Sequence, residues 1–228
     1  NAYELSAMLT EQWPTTTDYN KITGPYGEPL FDAPDQGLLA LEEPHNKQLI
    51  TKLETVARLI EIGKQQGIKR QVFVVTMGGY DTHAGQADKH PQLLRELSLG
   101  LGKFQQAIDT LGQQNEVTLF TQSDFGRTLS PNATGTDHAW GGNQLVMGGA
   151  INSGMYGTTP DLSDNSEHMA QDPRGRIIPT LAAEQTTAAL VKWLGVKAAD
   201  LPELFPLLNR FAAQGSNRYS WLPLIEQV

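Results

Sequence analysis

Two short apolar runs constrain this chain most: residues 71–76 (QVFVVT) and 117–122 (VTLFTQ). Each is short, rich in valine or phenylalanine and apolar at nearly every position, the pattern of a strand buried on both faces. Between them lies a helix-length segment. Pro91 stands where a helix favours proline, at its first position, and Leu93, Leu97, Leu101, Phe104, Ile108 and Leu111 form one apolar stripe. Strand, helix, strand of this length predicts a βαβ unit, hence an α/β fold with a parallel sheet and a right-handed crossover.

The flanking sequence fits one such domain over 1–228. Residues 46–66 form a helix with the stripe Leu49, Leu53, Val56 and Ile60, stopped by Gly67. A third short strand is expected near 144–147, a late helix over 180–195 ending at Gly195, and a wrapped tail after Leu201. Residues 1–44, rich in proline and glycine, read as an irregular lead-in that contains a short helix. No apolar run approaches the roughly 18 residues that span a membrane. The net charge of −8 argues against a nucleic-acid-binding face, which needs clustered cations. Without cysteine, a metal site is limited to His, Asp, Glu, hydroxyl or water ligands.

Three polar loops follow the expected strands, where ligands bind in open α/β sheets. They carry Asp81 and His83; Ser123, Asp124 and Arg127; and Asp137 and His138. Carboxylates with imidazoles bind Zn, Mn or similar divalent ions, and a bound ion can hold an anionic ester and activate a water or hydroxyl. An Asp-x-His step on an extended segment faces both side chains one way. A structural reading competes with this one: each Asp can cap a helix or form a turn, and Arg127 can simply pair with Asp124. His45, His90 and His168 lack the context and read as surface residues, His90 at the opening of the second helix.

The segments GGYDTHAGQ (78–86), TQSDFGRT (121–128), GTDHAWGG (135–142), GGAINSGMYG (148–157), RGRIIPT (174–180) and KWLGV (192–196) resemble domain-of-unknown-function family 1501. They cover most of the chain from residue 46 onward. That family is similar in turn to the alkaline phosphatase and sulfatase superfamily. Asp81 and His83 resemble its first Asp/His pair, Asp124-Phe125-Gly126 its Asp-His-Gly segment, and His138 its late histidine. Phe125 stands where the superfamily has a metal-binding histidine.

The resemblance implies an alkaline-phosphatase-like, three-layer sandwich around a mainly parallel sheet, lacking its N-terminal part. It implies a metal-dependent hydrolase of phosphate or sulfate esters, incomplete in this chain, exported to the periplasm or cell surface. Asp81, His83, Asp124 and His138 would bind Zn, Mn or Ca, with Asp137 as a further candidate ligand. Arg127 would hold an anionic substrate oxygen. The nucleophile is expected outside this chain, and the N-terminal segment of the same protein is an expected partner. The alternative is a non-catalytic exported binding or scaffold protein.

Overall fold

A computed structural model describes residues 11, 15–34, 48–163, 169, 172–211 and 221–225. Chain contacts divide into two compact units, Asn1–Gln114 and Asn115–Val228.

In the first unit, helix α1 (Gln48–Gln65) packs against helix α2 (Gln86–Thr110). Leu49, Leu53, Val56 and Ile60 are all buried, as their spacing predicts. Gly67, at φ +71°, ends α1, with Gly67 N bonded to Lys64 O and Ile68 N to Gly63 O. Two bonds set the direction of the pair: Leu49 N donates to Glu96 Oε1 at 2.7 Å and Lys64 Nζ to Leu111 O at 3.0 Å. Both link residues 47 apart, so the helices run the same way. Gly100 lets α1 in closely, because a Cβ there would fall 3.1 Å from both Leu49 and Leu53.

Segment 15–34 contributes Tyr19, Leu30 and Phe31 to the same core. Buried Glu61 accepts from Thr16 N and Thr17 N, and buried Lys103 pairs with Glu28. Helix α2 begins before Pro91, which lies inside it. The proline forgoes one helical bond, yet the buried Leu93, Leu101, Phe104 and Ile108 carry the helix through it. The short helix expected within 1–44 falls largely outside the described residues, as do His45 and His168.

The second unit holds strands β1 (Leu119–Phe120), β2 (Gly126–Asn132), β3 (Gly135–Ala139) and β4 (Val146–Met147). β1 pairs antiparallel with β4, and β2 with β3, in two separate two-stranded sheets. Residues 174–177 run along the β2–β3 hairpin through Leu129 N to Gly175 O, Ser130 N to Arg174 O and Gly141 N to Ile177 O. Helix α3 (Ala183–Trp193) and the short helix α4 (Leu201–Leu204) enclose Ala188, Leu201 and Leu208, with Val191, Val196, Phe205 and Trp221 against them. Gly195 ends α3 at φ +108°.

The parallel three-layer sandwich is therefore corrected: among the described residues all strand pairing is antiparallel, in two small sheets. Residues 71–76 form no strand, and Val72 and Val74 are 74% and 87% exposed. Residues 117–122 contribute only β1, whose partner follows it in sequence and runs the other way. A short apolar run carries β-propensity, but a strand also needs a partner whose hydrogen-bonding groups meet it. In the first unit the helices bury their stripes on each other and on segment 15–34 instead of on a sheet.

Candidate metal centre

The first candidate pair sits on the extended approach to α2. Gly79 takes φ +97°, and a Cβ there would meet Leu93 at 3.1 Å, so the chain lies close on the helix. Tyr80 packs edge-on to His90, with ring centroids 5.8 Å apart, and its hydroxyl reaches Leu93 O at 3.4 Å. Burial, then the Glu96 carboxylate, raises the Tyr80 phenol above its ordinary range, so it stays a neutral donor.

Thr82 is buried, with its Oγ1 2.8 Å from His90 Nε2 and its N bonded to Tyr80 O. Side chains alternate along an extended chain, so burying Thr82 turns Asp81 and His83 outward. They meet there: His83 Nε2 lies 3.0 Å from Asp81 Oδ1, with side chains 50% and 61% exposed. His90 was expected on the surface at the helix opening. It sits half-buried inside α2 and ties down the residue between the two candidate ligands. Its spacing of eight residues from Thr82 carries no local signal, because the contact depends on how the loop folds back.

The other candidates lie in the second unit. Ser123 Oγ donates to Phe125 O at 2.9 Å and closes the turn before β2. Asp124 is exposed. Arg127 and His138 are directly opposite partners across β2 and β3. The Phe125 ring stacks on His138 at 3.7 Å between centroids, with planes 6° apart. The Arg127 guanidinium lies 5.2 Å from the Phe125 centroid and donates to Thr136 O. Asp137 is engaged at both oxygens: Oδ1 accepts from Asn132 Nδ2 at 2.6 Å, and Oδ2 pairs with Arg174 at 3.3 Å.

Asp81 and His83 thus form one exposed pair, and Phe125, Arg127 and His138 one aromatic-cationic group. A family model matches residues 54–174, over half the chain and all of these loops. The chain belongs to the DUF1501 family. That family is described as a protein of unknown function. No curated protein and no solved structure matches the chain. The DUF1501 segment includes Asp81, His83, Asp124, Asp137 and His138, which offer carboxylate oxygen and imidazole nitrogen. That donor set is compatible with zinc or manganese. Among the described residues no helix is long and apolar enough to cross a membrane.

Proposed function

We propose that this chain supplies the metal ligands of an exported hydrolase acting on phosphate or sulfate esters. The observation that carries the reading is the Asp81–His83 pair, two exposed ligand side chains whose backbone is held through buried Thr82. Asp81, His83, His138 and exposed Asp124 are the proposed ligands. Asp137 ranks behind them because its carboxylate already serves Asn132 and Arg174. A divalent ion such as Zn, Mn or Ca, when bound, polarises an ester oxygen and offsets the acidic charge of the chain toward an anionic substrate. Arg127 presents a planar fork suited to an anionic oxygen, and the Phe125 ring and the Thr136 carbonyl hold it in place. Export to the periplasm or cell surface belongs to the same proposal, and fractionation of the producing cells checks it.

The test is calorimetric titration of the purified chain with Zn²⁺ and Mn²⁺, beside Asp81→Ala, His83→Ala and His138→Ala. We expect saturable binding that weakens at least about tenfold in each variant. Unchanged affinity and stoichiometry in all three would overturn the ligand assignment. Phosphate and sulfate monoesters are then offered to the metal-loaded protein. Binding without turnover by the metal-loaded full-length protein, N-terminal segment included, favours the second reading, an exported binding or scaffold protein. Phe125 favours that reading too, since its ring has no ligand atom where the resemblance expects a histidine.

A further inference from the structure

We infer that Phe125 is a positioning residue for His138, a role that rests on the metal reading above. The local geometry follows from the hairpin. Arg127 and His138 sit opposite each other across β2 and β3, so their side chains share a face. Phe125 immediately precedes β2, and its ring reaches the face that Arg127 and His138 share. Its ring stacks flat on the imidazole, 3.7 Å between centroids and 6° from parallel.

An exposed histidine rotates broadly about its last torsion, and His138 is exposed. The parallel phenyl restricts that rotation, because only flat orientations keep the contact. Ring nitrogens direct their lone pairs within the imidazole plane, so a parallel neighbour does not cover them. An imidazole that donates to a cation becomes electron-poor, and the negative face of a phenyl ring favours such a neighbour.

The Phe125 ring is itself held. The Arg127 guanidinium lies over it and is tied to Thr136 O, in the strand that carries His138. The next residue, Gly126, packs so closely on Gly141 that a Cβ would stand 1.9 Å from the Gly141 carbonyl oxygen. A residue with no ligand atom thus orders one that has two.

Phe125→Leu and Phe125→Met remove the flat ring and keep apolar volume; Phe125→Tyr keeps the ring. In the metal-free chain, the Phe125 ring current should move the His138 ring-proton NMR resonances upfield. That shift is expected to vanish in the Leu and Met variants and persist in the Tyr variant. Co²⁺ affinity, followed by visible absorption, is expected to fall about tenfold in the Leu and Met variants. The Tyr variant should match the parent, and all should keep similar melting temperatures. Co²⁺ binding at parental strength by the Leu and Met variants overturns the positioning role and leaves the metal reading standing. A parent chain that takes up no Co²⁺ removes the metal reading and this inference together.

Discussion

Lys103 in the first unit is 1% exposed and pairs with Glu28, whereas Arg174 and Arg176 in the second unit meet Asp137 and Asp172 at partly exposed positions. Glu61 and Glu96 are also buried in the first unit, each accepting backbone N–H groups. Among the described residues the second unit buries no charged side chain; its buried polar residues are Thr128 and Thr186. Its tightest fits are at glycines. A Cβ at Gly126 would strike the Gly141 backbone, and one at Gly148 would stand 2.6 Å from Val117 O. Two long helices can surround a desolvated charge and use it to pin segment 15–34, which has little regular structure. Strands of two to seven residues cannot, and they gain closeness from bare backbone instead.

The largest break should come from the buried pair. Glu28→Gln leaves the Lys103 ammonium buried without its counter-charge and is expected to cost about 3–5 kcal/mol in urea unfolding. Burial alone would raise the Glu28 carboxyl, but the hydrogen bonds from Lys103 and the backbone, together with the Lys103 charge, outweigh it and hold the group below its usual range. The sign follows: the pair's contribution is whole above the ordinary glutamate value of about 4.3 and is lost as pH falls through the lower folded value. Acid titration of stability should therefore show a loss in the parent below about pH 4.3 that is smaller in the variant. Equal acid sensitivity in both chains would count against the pair.

Gly126→Ala tests the other means. The new methyl would meet the Gly141 carbonyl oxygen, which belongs to the backbone and cannot rotate aside. Forced overpacking costs roughly 1–3 kcal/mol, and a clash with backbone belongs at the upper end. The His138 resonances should move with it, since Gly126 precedes the strand residue opposite His138. A neutral substitution would show that this approach is looser than the geometry implies.

How much of this was legible depended on whether the signal was local. The stripe Leu49, Leu53, Val56 and Ile60 is a matter of helical period, and all four are buried. The stops at Gly67 and Gly195 follow from backbone freedom at positive φ. The Asp81–His83 pairing followed from alternation along an extended step. Strand pairing is not local. The run at 71–76 looked like a buried strand because valine and phenylalanine suit one, yet nothing in six residues says whether a partner arrives, and Val74 stands 87% exposed. The β2–β3 hairpin was invisible for a related reason. Its connection, Ala133-Thr134, lacks the Asn-Gly or Asp-Gly signal of a tight turn. With the hairpin unseen, the Phe125–His138 stack could not be read, and Phe125 looked only like a lost ligand.

That connection supplies the smallest and most discriminating test. Ala133 takes φ +51° in the two-residue loop between paired Asn132 and Gly135. The left-handed region costs a residue with a Cβ about 1 kcal/mol or more, which glycine avoids. Glycine also loses more chain entropy on folding, by roughly 0.5–1 kcal/mol. Ala133→Gly should therefore stabilise only slightly, by about 0.5 kcal/mol. Ala133→Asn, which tolerates the same region without glycine's entropy loss, should do at least as well. The first unit supplies the opposite sign: Gly67 already has its glycine at φ +71°, with open space around it. Gly67→Ala should therefore destabilise by about 0.5 kcal/mol, the backbone strain less the chain entropy that alanine saves. If thermal melts show both substitutions moving stability in the same direction, positive φ is not what distinguishes these two sites.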